Sequence, residues 1–100
     1  MNTTISNDRY TVTVSDKGAE LQSFYDIKAD IEYIWTGNPD IWKERSPLLF
    51  PIVGKQKDDY YEYEGEQYSM PMHGFAKECS FTRVLDNNIL SYSLSSSDEI

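Results

Sequence analysis

Apolar and polar residues alternate along much of this chain, with the period of a β-strand that buries one face. The clearest case is residues 10–14, where Tyr10, Val12 and Val14 alternate with threonines. The other predicted strands span residues 19–25, 31–35, 60–63, 66–69, 81–85 and 89–94. About seven short strands at a spacing of roughly 8–12 residues predict an all-β fold, an antiparallel β-sandwich or barrel.

Short turns connect neighbouring predicted strands. Asp16-Lys17-Gly18 follows the first strand, Glu64-Gly65 joins the pair within residues 60–69, and Asp86-Asn87-Asn88 joins the last pair. Glycine and asparagine suit these positions because they tolerate a positive φ. Each motif therefore predicts an antiparallel hairpin.

Two segments between the hairpins break the alternation. We expect residues 40–44 to form one helical turn that Pro47 ends, because the residue before a proline avoids the α region. Residues 48–53 are apolar throughout apart from the bend at Pro51, and such a run predicts a segment buried on both sides. Residues 95–100 add no closing element, which would leave an unpaired edge and a half-covered face. Residues 1–100 are therefore expected to form the N-terminal part of one larger domain.

The charge and the cysteine content narrow the possible partners and compartment. The chain carries 17 acidic and 9 basic residues, a formal net charge of −8 at pH 7. This balance argues against nucleic acid, which needs a basic stripe, and against adsorption to anionic membranes. Cys79 is the one cysteine, so no internal disulfide is possible, and we expect a reducing compartment, the cytoplasm. The first five residues have uncharged side chains, and no apolar run follows them. Neither a signal peptide nor a transmembrane segment is therefore predicted.

The residues that carry chemistry are few. His73 is the one histidine, and the sequence has no Ser-His-Asp spacing, P-loop or Cys/His metal cluster. A single imidazole does not build a zinc site without acidic partners at suitable spacings, so no metal is expected. Without further context, a lone histidine is more often structural than catalytic.

The order of the local motifs is more informative than the composition. Ser46-Pro47-Leu48-Leu49-Phe50-Pro51-Ile52-Val53-Gly54-Lys55 is followed by a tyrosine-rich hairpin and then by Met70-Pro71-Met72-His73-Gly74-Phe75-Ala76-Lys77. This succession resembles the aldose 1-epimerase (galactose mutarotase) superfamily, and most closely its bacterial LacX-like branch. The resemblance runs from about residue 10 to residue 99, and residues 46–55 and 71–77 are its most specific parts.

This resemblance implies a fold, a reaction and a role for His73. The fold is the galactose mutarotase-like β-sandwich, and the activity is an isomerase that interconverts the α and β anomers of a free hexose. In the family, a late Glu removes the proton of the anomeric hydroxyl and a mid-chain His protonates the ring oxygen. Both would lie beyond residue 100, so the chain alone is expected to be inactive. His73 matches an earlier family histidine close to the ring oxygen, and this acid–base chemistry requires no cofactor.

The resemblance also suggests two further sugar-binding residues. Lys55 stands where many members have an arginine, a departure that exchanges a rigid fork of donors for a flexible point charge. Phe75 is a candidate for the pocket floor, although a core role is equally compatible with its position. The alternatives to an isomerase are a non-catalytic carbohydrate-binding protein on the same scaffold and a truncated reading frame; a sugar-6-phosphate epimerase is a competing enzyme.

Overall fold

Antiparallel hairpins build this chain, as the alternating pattern predicts. The computed structural model describes residues 1–95. Two short 3-10 helices, Lys57–Asp59 and Ala76–Glu78, interrupt the strands. The strands among the described residues are β1 (Asn2–Ser6), β2 (Tyr10–Ser15), β3 (Leu21–Asp26), β4 (Ile31–Glu32), β5 (Tyr60–Tyr63), β6 (Glu66–Ser69), β7 (Thr82–Asp86) and β8 (Ile89–Ser93).

The first four strands form one antiparallel sheet in the order β1-β2-β3-β4. One face carries a cross-strand apolar row, because Val12 lies opposite both Ile5 and Phe24. Aromatic rings extend this face: Phe24 packs edge-on against Tyr10 and Tyr33, with centroids 5.2 and 5.9 Å apart. Such cross-strand pairs are the main source of stability within a sheet.

The strand β1 was not among the strands that the pattern predicts. Asn2–Ser6 is mostly polar, and Ile5 is its one large apolar residue, so alternation gives little signal there. The strand forms because its full length pairs with β2, from Asn2 opposite Ser15 to Ser6 opposite Thr11. Tertiary pairing therefore overrides a weak local pattern.

The two later hairpins confirm the predicted turns. β5 pairs with β6 across Glu64-Gly65, and β7 pairs with β8 across Asn87-Asn88, where Asn87 has a φ of 55°. The β7–β8 hairpin lies against the first sheet through two side chains. Arg83 donates a hydrogen bond to Thr3 Oγ1, and the Tyr92 hydroxyl donates one to the Val14 carbonyl over 3.4 Å.

Three sequence-based predictions about the middle of the chain were wrong in detail. The strand expected at residues 31–35 covers only Ile31–Glu32. No helix forms at residues 40–44; a turn lies at residues 39–41, where the Asn38 carbonyl accepts hydrogen bonds from the N–H groups of Ile41 and Trp42. The apolar run at residues 48–53 is not buried on both sides, since Phe50 and Val53 are 58% and 76% exposed. The prediction assumed that other elements cover this apolar run on both sides, and residues 1–95 provide no such cover.

The apolar interior of the described chain is small. Among residues 1–95, the buried hydrophobic residues are Met70 and Ala76, and they lie on either side of His73 along the chain. The two tryptophans, Trp35 and Trp42, are 39% and 53% exposed. The two buried hydrophobic residues among residues 1–95 therefore flank the candidate histidine.

An ion pair between the half-exposed Arg9 side chain and a buried carboxylate fixes the end of β3. The Asp26 side chain is fully buried, and its Oδ2 accepts hydrogen bonds from Arg9 Nε and Nη2 at 3.2 and 3.1 Å. Its Oδ1 accepts a third from the Ala29 N–H at 3.0 Å. The carboxylate thus ties the β1–β2 connection to the turn before β4.

Among the described residues, no helix has the length and apolar character needed to cross a membrane.

Candidate functional site

The two segments that carry the resemblance contact each other in the structure. Phe50 forms a parallel bridge with Gly74, and the Phe50 carbonyl accepts hydrogen bonds from the N–H groups of Phe75 and Ala76 at 3.0 and 3.2 Å. The rings of Phe50 and Phe75 pack edge to face, with centroids 6.3 Å apart. Residues far apart in sequence are therefore joined into one unit around His73.

Gly74 makes this close approach possible. Its φ is 82°, a region that residues with a Cβ rarely adopt, and a Cβ built on it would overlap the Phe50 carbonyl. Glycine thus permits the turn at residues 73–74. The structure adds a second reason for glycine, which is direct backbone contact with residue 50.

A tight turn presents the imidazole of His73. The Gly74 N–H donates a hydrogen bond to the Pro71 carbonyl over 2.9 Å, closing a four-residue turn with His73 at its third position. A φ of 66° at His73 is the positive value that a type II turn requires there. A residue with a Cβ is strained in this conformation, so the surrounding contacts must hold it in place.

Gly54 supplies the most direct of those contacts. The His73 N–H donates to the Gly54 carbonyl over 2.6 Å, and the Gly54 N–H donates to His73 Nδ1 over 2.9 Å. Because Nδ1 accepts a hydrogen bond, the proton of the neutral imidazole is on Nε2. The half-buried side chain therefore offers an N–H donor on the side away from Gly54.

Lys55 and Phe75, the other two candidate residues, flank this pair. Lys55 follows Gly54 directly, its side chain is 61% exposed, and its Nζ lies 3.9 Å from Asp59 Oδ1. It borders an open groove of about 530 Å³ whose other lining residues include Met70, Pro71 and Met72. Phe75 is half-buried against Phe50. The structure thus brings His73, Lys55 and Phe75 into one neighbourhood, with Lys55 accessible and Phe75 mainly packed.

Polar contacts with the first sheet and with the loop before residue 46 anchor the two segments. Ser46 Oγ donates to the Leu21 carbonyl over 2.6 Å, at the start of the first segment. Lys77 Nζ donates to Glu44 Oε1 over 2.8 Å, and this hydrogen bond raises the pKa of the largely buried Lys77 ammonium. These contacts connect the site to β3 and hold its two segments together.

The turn between β2 and β3 completes the anchoring. Gly18 donates its N–H to the Cys79 carbonyl over 2.6 Å, and Phe81 donates its N–H to the Asp16 carbonyl over 2.8 Å. A Cβ at Gly18 would lie 2.6 Å from the Lys77 carbonyl, so this turn also depends on glycine for a close approach. The segment after His73 is thereby fixed to the sheet.

The contact between Gly54 and His73 was not predicted from the sequence. A glycine before Lys55 was visible, but nothing local indicates that its N–H would meet an imidazole 19 residues later. The only available signal was that Gly54 and His73 belong to the two segments that resemble the same family. Within residues 1–95, no cluster of three or more His, Cys, Asp or Glu side chains is placed to hold a metal ion.

Known proteins match this chain over almost its whole length. The profile of the aldose 1-epimerase family matches residues 1–99. Plasmid-encoded protein LacX of Lactococcus lactis subsp. lactis is 28% identical over 102 residues, which cover 96% of this chain and 34% of LacX. The chain therefore matches a recognised family of proteins along almost its whole length.

Two crystal structures share the fold. A galactose mutarotase related enzyme from Lactobacillus acidophilus superposes with a TM-score of 0.92 and 39% identity, over 99% of this chain and 33% of that one. A galactose mutarotase-like protein from Lactobacillus casei gives a TM-score of 0.91 and 31% identity, over 99% and 34%. The chain thus spans about a third of the length of these relatives. Its all-β antiparallel fold is galactose mutarotase-like, and the chain belongs to the aldose 1-epimerase family.

Proposed function

We propose that this chain contributes the N-terminal part of an aldose 1-epimerase-like isomerase that interconverts the α and β anomers of a free hexose. Family membership and the likeness to a galactose mutarotase related enzyme support a sugar as the substrate. The contacts around His73 support a defined role for this residue within the sugar pocket.

The observation that carries the proposal is the hydrogen bond from the Gly54 N–H to His73 Nδ1. It orients the ring and leaves Nε2 as a proton donor. Opening a hexose ring develops negative charge on the ring oxygen as its bond to the anomeric carbon breaks. A donor fixed in advance toward that oxygen stabilises the charge without reorganisation at the moment of reaction.

The proton transfers themselves require groups outside this chain. Ring opening moves a proton from the anomeric hydroxyl to a base and delivers a proton to the ring oxygen from an acid. In our proposal, His73 binds the ring oxygen, while the family's later His and Glu act as acid and base. Lys55, accessible at the groove, donates to sugar hydroxyls, and Phe75 shapes the pocket floor from its packed position.

The test uses a chimera in which residues 1–100 replace the matching third of the Lactobacillus acidophilus relative, which has the same backbone over this region. Freshly dissolved α-D-galactose is followed by polarimetry with the chimera, the parent relative, the chain alone and buffer. We expect the chimera and its parent to accelerate equilibration and the chain alone to match buffer.

The outcomes separate the candidate functions. Acceleration by the chimera supports the isomerase. Binding of galactose by the chimera in calorimetry without acceleration, while the parent is active, would favour a carbohydrate-binding protein on this scaffold. Catalysis by the chain alone would contradict our placement of the acid and base outside it.

A further inference from the structure

The groove beside His73 contains one positive and one negative side chain. Within residues 1–95, the charged residues that line it are Lys55 and Asp59. Asp59 Oδ1 lies 3.9 Å from Lys55 Nζ, and the two side chains are 57% and 61% exposed. The remaining lining residues are uncharged, namely Ser69, Met70, Pro71 and Met72. The part of the groove that the structure describes therefore has a polar, accessible end without a net charge.

The backbone fixes Asp59 at this end of the groove. Its N–H donates a hydrogen bond to the Gln56 carbonyl over 3.1 Å, and its carbonyl accepts one from the Met70 N–H over 2.8 Å. Met70 is buried, and it lies three residues before His73 along the chain. Asp59 is thereby attached to the segment that carries the candidate histidine.

The backbone conformation at Asp59 does not by itself call for a carboxylate. Its φ is 62°, and the φ of Asp58 before it is 61°. Aspartate tolerates such values, although the strain of two in succession must be offset by the surrounding contacts. Glycine and asparagine adopt the same conformation without a negative charge. The charge at residue 59 therefore needs another explanation.

Stability does not supply that explanation. An ion pair between side chains that are more than half exposed contributes little to folding, because water screens it. The effect on a ligand is larger, since a sugar that enters the groove displaces this water and the charges then act through a less polar medium. Lys55 alone would attract an anionic sugar. The carboxylate of Asp59 cancels this attraction and repels a further negative charge.

We propose that Asp59 is a specificity-determining residue, whose carboxylate neutralises Lys55 so that the groove accepts uncharged hexoses and rejects sugars with a carboxylate or phosphate group. This inference rests on the proposed function, because it concerns the sugar of the same site. Lys55 keeps N–H groups for sugar hydroxyls, since an ammonium group has three donors. A sugar-6-phosphate epimerase would instead require a cation whose charge is not already neutralised.

The selectivity of the chimera between two sugars of different charge tests the role of Asp59. D-Galacturonate differs from D-galactose in having a carboxylate in place of the hydroxymethyl group at C6. Polarimetry gives kcat/KM for each sugar, and calorimetry gives each Kd. We expect Asp59→Asn to increase the preference for galacturonate over galactose about tenfold in both quantities, because it leaves the Lys55 ammonium uncompensated. High salt should reduce this gain, since ions screen the attraction.

Two further variants control for the charge change. Asp58→Asn removes the same charge at the neighbouring residue, which has nearly the same φ but does not line the groove. We expect it to leave the preference unchanged. Lys55→Gln makes the opposite change, because it leaves the Asp59 carboxylate uncompensated, and should reduce the preference for galacturonate about tenfold.

An unchanged preference in Asp59→Asn, or an equal increase in Asp58→Asn, would overturn the proposal. The two readouts distinguish this failure from failure of the proposed function. If the chimera binds galactose without accelerating its mutarotation, the isomerase proposal fails and the Kd values still test Asp59. If the chimera is active and Asp59→Asn does not alter the preference, the role of Asp59 alone is wrong. Absence of binding of both sugars would contradict both proposals.

Discussion

The Gly54 N–H donates a hydrogen bond to Nδ1 of His73, and the His73 N–H donates one back to the Gly54 carbonyl. This reciprocal pair joins residues from the two segments that carry the family resemblance. It fixes both the position of the imidazole and the nitrogen that carries the proton. A histidine that would otherwise be an ordinary half-buried side chain is thereby held as an N–H donor.

Gly74 is expected to be more sensitive to substitution than a glycine in an open turn. Gly65 is a matched control, because both glycines have a φ of 82° and only Gly74 lies against backbone. In the chimera, Gly65→Ala should cost about 1 kcal/mol from the positive φ alone. Gly74→Ala should cost about 1–3 kcal/mol more, because its Cβ overlaps the Phe50 carbonyl. Urea unfolding measures both values.

Equal losses of unfolding free energy in the two variants would show that Phe50 and Gly74 are not in contact in solution. The same substitution should disturb the site, because the Phe50 carbonyl also accepts hydrogen bonds from the N–H groups of Phe75 and Ala76. We therefore expect Gly74→Ala, and not Gly65→Ala, to reduce galactose mutarotation by the chimera.

The hairpins and the local turns could be predicted from the sequence. The β5–β6 pair was expected at residues 60–63 and 66–69, where it lies, because the alternation and the Glu64-Gly65 turn are both local signals. β1 could not be predicted in this way, since its polar residues acquire their structure by pairing with β2. Local patterns give hairpins, whereas the assembly of hairpins into sheets depends on distant partners.

The same distinction explains what was missed at the site. The family resemblance suggests His73, Lys55 and Phe75 as candidates, but no local pattern shows that Gly54 faces His73 across 19 residues. The apolar run at residues 48–53 was expected to be buried because apolar runs usually lie in a core. Phe50 and Val53 in this run are exposed, so the apolar composition of a single segment does not show whether other elements cover it.

The Asp26 carboxylate should make the free energy of unfolding depend on pH in the acidic range. The Ala29 N–H and the Arg9 guanidinium lower the pKa of the Asp26 carboxyl, against the effect of its burial, which raises it. The pKa of this carboxyl is therefore lower in the folded protein than in the unfolded chain, where it is about 3.9. At pH values above about 3.9 the ionised carboxylate contributes its full stabilisation of the folded state. This contribution is lost as the pH falls through the folded-state pKa. In the chimera, Asp26→Asn should lower the urea midpoint at neutral pH.

The difference between Asp26→Asn and the unsubstituted chimera should shrink as the pH falls below about 4. Asp40→Asn serves as a control, because Asp40 is exposed and should leave the midpoint nearly unchanged at either pH. A midpoint difference for Asp26→Asn that is the same at neutral and acidic pH would contradict the ion pair as its cause.

We propose that His73 acts as a fixed donor to the sugar, and kcat/KM for galactose mutarotation by the chimera tests this role most directly. His73→Asn removes the imidazole but keeps a residue type that tolerates the positive φ of 66°. Glu64→Asn makes a similar change at an exposed turn position with a φ of 51°. We predict that His73→Asn lowers kcat/KM about 100-fold, as expected for the loss of a preorganised donor, and that Glu64→Asn leaves it unchanged. A folded His73→Asn chimera with undiminished kcat/KM would show that His73 is not a donor to the sugar in the reaction.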